Sequence, residues 1–441
     1  MNFRDNESEA EFRTEVRSFI QKEHKSGEEA TTSAAQAASA GGAAAMDAYK
    51  AWMRKLATRG WVASAWPKEY GGAGMTVMQQ FIFNEELALA RAPRPGGIGI
   101  TMAGPTIIAY GSDDQKTEHL PGMLSGEATW CQGFSEPGAG SDLASVQAKA
   151  ERDGVEWTIN GQKVWTSGGQ SADLGMLLAR TDPDAPKHKG ITYFAFPMDQ
   201  PGVEVRPLRE MTGRALFSEV FFDDARVADS EIIGGLNEGW LVANTTLANE
   251  RAGLGSGGGG AGGGAFPGTK GGMLEVRVGD VADRIARGGA VQPSAFGRGF
   301  DFMRELTEKL GRADDPLLRQ RLAELYTLNE VGRMTAARVK AAVKAGKGPG
   351  PEANTAKLLM SKVTRLVRDL GPAILGPEGM LSGPDTTGGG VAQEMTLFAP
   401  APSIYGGTDE IQKNIIGERV LGLPKEPGPD KSTPFKDLRV S

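Results

Sequence analysis

The chain has 441 residues, 39% of them hydrophobic and 24% charged, which is ample for a folded core of two or three layers. A net charge of −6 and a pI near 5.5 argue against a nucleic-acid surface. The one cysteine, Cys131, rules out an intrachain disulfide, and the charged start Met1–Glu9 lacks the apolar stretch of a signal peptide, so a cytoplasmic protein is expected. No run approaches the roughly 18 apolar residues that a membrane helix needs.

The first predicted element is a helix over Glu11–His24, where Phe12, Val16, Phe19 and Ile20 make one apolar stripe. Residues 26–46 are Ala/Ser/Gly/Thr-rich and read as a surface loop or poorly ordered insert. Helical spacing resumes at Tyr49, Trp52 and Leu56, and again at Phe81 and Leu87, with Pro67 and Gly71-Gly72 as punctuation between them.

From Ala128 the pattern turns to strands. Val155–Ile159 alternates, and Asn160-Gly161 after it predicts a hairpin turn. Leu174–Leu178, Ile191–Phe196, Val203–Val205 and Glu219–Val227 are further strands. From Asn237 helices are predicted again. Asp315-Pro316 is a helix start, and Lys347-Gly348-Pro349-Gly350 is a stop. Leu359, Val363, Leu366, Val367 and Leu370 form another stripe. The expected class is α+β: an N-terminal helical domain (1–126), a middle antiparallel β domain (127–235) and a C-terminal four-helix bundle (236–423). A Gly-rich insert (253–272) interrupts the last, and a mobile tail (424–441) follows.

Three motifs carry chemistry. Gly133-Phe134-Ser135-Glu136-Pro137-Gly138-Ala139-Gly140-Ser141-Asp142 joins glycines and hydroxyls in a loop whose backbone can approach an anionic ligand closely. Ile159–Gly169 contains Trp165 and Ser167. Near the C-terminus runs Ile404-Tyr405-Gly406-Gly407-Thr408-Asp409-Glu410-Ile411-Gln412. By residue type alone, Trp165 reads as a core side chain, Ser135 and Ser141 as turn residues, and Glu250-Arg251 as a surface helix pair. His24, His119 and His188 sit in polar stretches and read as surface residues. No Walker motif and no metal-ligand spacing is present.

Taken together, the order and spacing of these motifs resemble the acyl-CoA dehydrogenase family over roughly residues 50–423. The resemblance implies FAD as cofactor. It places Phe134 and Ser135 on the pyrimidine side of the flavin, Ser141 at its phosphate beside Gly140, and Trp165 beside the ring. Ser167 then falls near N5 and Thr408 near the cofactor. It also implies α,β-dehydrogenation of an acyl-CoA, in which a carboxylate removes the α-proton and donors stabilise the enolate oxygen. Gly406 stands where most relatives carry the catalytic glutamate, and only its backbone N–H is left to serve as a donor. Leu247-Ala248-Asn249-Glu250-Arg251 matches the helical position of the base in isovaleryl-CoA dehydrogenase and its relatives. Glu250 is therefore the expected base, with Arg251 in support, and the glycine leaves room for a branched, cyclic or bulky acyl group. Asp409 and Glu410 are expected to be solvated or helix-capping.

The chain departs from the family in two places. The family's Arg-x-x-Phe-Gly motif is replaced by the stretch Thr307–Asp315, where Arg312 is the substitute candidate for a cofactor contact. The family's Gln-Ile-Leu-Gly-Gly reads Ala373-Ile374-Leu375-Gly376-Pro377. The resemblance further implies an electron-transfer flavoprotein as electron acceptor and a homotetramer or a mixed tetramer with a related chain. Two other readings stay open: nitroalkane-oxidase or flavin-monooxygenase chemistry on the same fold, or a non-catalytic partner subunit.

Overall fold

The computed structural model describes residues 5–24, 51–90, 92–213, 215, 217–255, 299–345, 353–381, 386–425 and 432–438. The 26–46 stretch, Tyr49 and the expected stop at Lys347–Gly350 lie outside them, as does the Gly-rich insert beyond Gly255.

The N-terminal part is helical. Helix α1 (Glu7–Glu23) starts earlier than its apolar stripe, because Asn6 and Glu9 form a reciprocal capping box. Helix α2 (51–57), α3 (Val77–Leu89), α4 (Gly104–Tyr110) and α5 (Asp113–Ser125) follow. Val16, Ile20, Trp52, Leu56, Trp61, Phe83 and Leu87 close one core among them.

Seven strands make the middle part: β1 (Trp130–Gly133), β2 (Lys149–Asp153), β3 (Glu156–Ser167), β4 (Leu174–Arg180), β5 (Ile191–Pro197), β6 (Val203–Leu208) and β7 (Phe217–Ala228). Their order is β1-β4-β2-β3-β7-β6, with β5 also on β4. Most pairings are antiparallel as expected, but β4 runs parallel to β1 and to β2.

The expected turn at Asn160-Gly161 is absent. The β2–β3 hairpin turns at Gly154-Val155, between the paired Asp153 and Glu156. Asn160-Gly161 lies inside β3, where the register with β7 shifts in a bulge. Gly161 has φ 147°, and a Cβ there would come within 2.8 Å of Ala148, so glycine is required for the close approach of β2. The Asn160 side chain holds the bulge by donating to Asp224 Oδ1 and accepting from the Asp224 N–H, both at 2.9 Å.

The C-terminal part is helical: α6 (Gly239–Gly255), α7 (Gly299–Lys309), α8 (Pro316–Lys344), α9 (Ala353–Leu375), α10 (Val391–Phe398) and α11 (Asp409–Arg419). Asp315 caps α8 as expected, accepting from Leu317 N and Leu318 N. Helix α9 is the hub, packed against α6, α7, α8, α10 and α11.

Three further expectations need correction. His119 is buried, not a surface residue; its Nε2 lies 3.0 Å from Glu231 and its ring stands edge-on to Trp130. Asp409 is likewise buried. Residues 432–438, in the stretch expected to be a mobile tail, pack on the β domain and bury Phe435. Among the described residues no helix is long and apolar enough to cross a membrane.

Candidate active site

The first two motifs meet. The Val164 N–H donates to the Ser135 carbonyl at 2.9 Å, and Lys163 Nζ donates to the Phe134 carbonyl at 3.1 Å. The backbone of Phe134-Ser135 therefore lies against Lys163-Val164, directly before Trp165. Between Lys163 and Thr166 the register of β3 on β7 shifts a second time. Trp165 sits in that bulge at φ 61°, a costly conformation for a residue with a Cβ. Its ring is thrown outward, 55% exposed, with Phe217 edge-on at 5.7 Å. This is not the core tryptophan that residue type suggests. It is a strained, solvent-facing aromatic surface beside Ser135, with half-buried Ser167 two residues on. Gly140 and Ser141 are exposed at the far end of the loop, and a Cβ on Gly140 would meet nothing.

Beneath this surface is a buried ion pair that residue-type reasoning missed. Lys163 is fully buried and places Nζ 2.7 Å from Glu136 Oε1. Glu136 also accepts from Gln147 N at 2.6 Å and from Ala148 N at 2.9 Å, so the loop start is tied to its exit. Burial pulls the Lys163 ammonium below its ordinary pKa, and Glu136 opposes that pull. No local signal marks this pair: Glu136 lies in the loop after β1, and Lys163 follows the polar Asn160-Gly161-Gln162 inside β3. Cys131 is buried and its thiol is pushed up to about 12, which rules it out as a nucleophile.

A line of contacts leads from the loop to Glu250. The Phe134 ring stands edge-on to Tyr193 at 5.9 Å. Thr246 on α6 is fully buried and donates to the Tyr193 hydroxyl at 3.4 Å, with Thr106 of α4 at 2.8 Å. Glu250 is four residues beyond Thr246, one turn along the same helix face, and is half-buried. Arg251 is part of the same helix.

The C-terminal motif is a braced loop. Gly406 has φ 64° and Gly407 φ 81°. The Gly406 carbonyl accepts from Gln412 Nε2 at 2.8 Å, and Thr408 caps α11 by accepting from Ile411 N. The Gly406 N–H has no acceptor among the described residues. Asp409 pairs with buried Lys357 at 3.0 Å and with Arg365 at 2.8 Å, and Arg365 also reaches Ser403. Burial works against the Asp409 charge, but the hydrogen bonds from Arg365 and Lys357 prevail and hold its carboxyl at about 2. Asp409 is thus an ionised anchor for the loop, while Glu410 is exposed. Lys357, Ser361 and Thr364 mark one polar face of α9, a spacing that could have revealed the anchor. Helices α6 and α11 both pack on α9, which links the Glu250 helix to the Gly406 loop.

Arg312, the substitute candidate for a cofactor contact, is engaged within its own chain. Its Nη1 donates to the carbonyls of Ala373 and Ile374, and its Nη2 pairs with Asp315 at 3.0 Å. That is a cap on the C-terminal turn of α9. One cluster appears that sequence spacing did not reveal: ligand atoms of Glu118, His119 and Glu231 lie within 4.8 Å of one another.

The helical, β, helical order and this site define the class, and comparison with known proteins agrees. The acyl-CoA dehydrogenase N-terminal, middle and C-terminal domain families match residues 6–127, 131–225 and 285–421. The chain belongs to the acyl-CoA dehydrogenase family and is an oxidoreductase acting on CH–CH groups. It is 38% identical over 383 residues to the acyl-CoA dehydrogenase IpdE1 of Mycobacterium tuberculosis, covering 87% of this chain and 90% of that protein. Two solved structures, the Tcur3481-Tcur3483 steroid ACAD and the ChsE4-ChsE5 complex from Mycobacterium tuberculosis, are each 29% identical with a TM-score of 0.70. Each comparison covers 97% of this chain and 100% of the other.

Proposed function

We propose that this chain carries out FAD-dependent α,β-dehydrogenation of a branched, cyclic or otherwise bulky acyl-CoA, with Glu250 as the base. The bound flavin would supply the hydride acceptor, at N5. The residues present fit such a group: Trp165 offers a flat exposed ring, and Ser135, Ser167 and the open Gly140-Ser141 end offer hydroxyls and uncrowded backbone. Thr408 would complete the site from the C-terminal loop. The supporting observation is the contact line Phe134–Tyr193–Thr246, which ties the loop to the helix face bearing Glu250.

Glu250 would take the α-proton as substrate closes the site to water. The Gly406 N–H, with no acceptor among the described residues, would point its dipole at the thioester oxygen as enolate charge develops. The absent side chain at Gly406 gives the acyl group space. A steroid-derived acyl group is the favoured substrate class, because one of the structures similar to this chain is described as a steroid ACAD. Electron-transfer flavoprotein would reoxidise the flavin, and the single cysteine fits a reducing cytoplasm.

One observation favours a second assembly: Arg312 is spent inside its own chain, so a mixed tetramer with a related chain would have to supply that flavin contact from elsewhere. Anaerobic titration of the purified protein with short, branched, aromatic and steroid side-chain acyl-CoAs tests the whole reading. Bleaching of the flavin by the bulky class is expected. A yellow protein that no thioester bleaches would point to other flavin chemistry, and a colourless one to a partner subunit. Glu250→Gln should keep the flavin and lower turnover by about two to four orders of magnitude. Near-normal turnover in that variant sinks the base assignment.

A further inference from the structure

Arg180 ends β4 and is 3% exposed, yet among the described residues no carboxylate pairs with it. Its donors go to backbone carbonyls. Nη2 reaches Ala144 at 2.7 Å and Val146 at 3.2 Å, and Nη1 reaches Lys187 at 2.8 Å. Burial lowers this guanidinium to about 10 against the opposing pull of the Glu136 and Asp182 carboxylates, neither of which pairs with it directly. The remaining face is closed by the Phe435 ring, 3.7 Å from the guanidinium carbon. A cation on an aromatic face gains most where water is excluded.

Phe435 belongs to a strap laid across the turn between β4 and β5. The Phe435 N–H donates to Ala185 at 2.9 Å, the Lys436 N–H donates to Pro183 at 3.0 Å, and Lys436 Nζ pairs with Asp184. The same turn holds the loop a second way: Lys187 Nζ contacts both carboxylate oxygens of Asp142 at 2.8 Å. Asp142 in turn accepts from Ser145 Oγ at 2.6 Å. Residues 142–146 are the exit of the loop that carries Ser135, Gly140 and Ser141.

We infer that Phe435 is a positioning residue for that loop. By keeping water off Arg180, the ring makes the Ala144 and Val146 carbonyls the guanidinium's best partners, which fixes the loop in its binding shape. Without the ring, water solvates Arg180 and the loop exit loosens. The inference rests on the flavin reading of the loop.

The test uses the full-length protein, stripped of flavin and titrated with FAD, together with amide hydrogen exchange of residues 134–148. Phe435→Ala is expected to weaken FAD binding roughly tenfold and to speed exchange in that segment. Phe435→Tyr, which keeps the aromatic face, should restore both. Unchanged affinity and exchange in Phe435→Ala overturn the inference. So does a loss that Phe435→Leu repairs as well as Phe435→Tyr, because that would make the ring plain packing. If the unaltered protein binds no FAD, the flavin reading falls with the inference. If it binds FAD and only the variant result fails, the inference alone falls.

Discussion

Asp409→Asn removes the one negative charge from a group that also holds Lys357 and Arg365. The carboxyl lies at about 2 against an ordinary 3.8. A shift of nearly two units corresponds to about 2.5 kcal/mol of stability at neutral pH. A second route gives a similar figure: removing one partner of a buried pair typically costs about 3–5 kcal/mol. Arg365 gives the largest of the opposing hydrogen bonds but is 41% exposed and screened by water, so the charge left buried and uncompensated is that of Lys357, whose side chain is 4% exposed. At about 3 kcal/mol, and with about 2.1 cal/mol/K of unfolding entropy per residue over 441 residues, the thermal midpoint at pH 7 should drop by about 3 °C at a fixed scan rate. The pH dependence is the sharper test. A carboxyl with a depressed folded pKa contributes fully above its ordinary value and loses that contribution as pH falls through its folded one. The gap between the two proteins should therefore be constant from pH 7 to 5, about half as large near pH 3, and nearly closed near pH 2. Equal midpoints at pH 7, or a gap that does not narrow between pH 5 and 3, would refute the ionised-anchor reading.

Other substitutions test other parts of the site. Trp165→Gly removes a strained φ of 61° and a mostly exposed ring, so the flavin-free protein should be as stable or about 1 kcal/mol more so. FAD affinity should nonetheless fall at least tenfold, by roughly the 1.4 kcal/mol that a tenfold change represents; unaltered affinity would remove Trp165 from the cofactor site. Gly406→Ala must hold a Cβ at φ 64°, costing about 1 kcal/mol, and should lower kcat while flavin content is kept. Undiminished kcat would mean that the Gly406 peptide has no part in the chemistry.

Much of the fold was legible because apolar spacing reports burial directly. The stripes in α1, α9 and the strands Leu174–Leu178 and Ile191–Phe196 became core elements. Local signals failed where a distant partner decides the conformation. Asn160-Gly161 has the composition of a turn, but β7 and β2 on either side keep it in a strand and convert its freedom into a bulge. Trp165 is apolar and sits in a strand, and only the register shift against β7 turns it outward. Buried ions were the other blind spot. Asp409 reads as a solvated or capping residue, and nothing singles out Lys163 or Arg180, because whether a charge is buried depends on partners far along the chain: Lys357, Glu136 and Phe435. The residues proposed to contact the flavin follow from the family resemblance and not from their local pattern.

The pairing order of the sheet also sets when the site can exist during synthesis. β1 waits for β4, where Gly133 pairs with Leu177, and the Trp165 bulge waits for β7, where Thr166 pairs with Ser218. A nascent chain that has reached residue 200 already contains both middle-segment motifs, yet it lacks the strand that turns the tryptophan outward. Contacts this far apart in sequence close slowly. Until β7 arrives, the β4 and β5 face made by Leu177, Ala179, Phe194 and Phe196 lacks the Val220, Phe222, Ala225 and Val227 that cover it in the finished fold, leaving it open to misassociation.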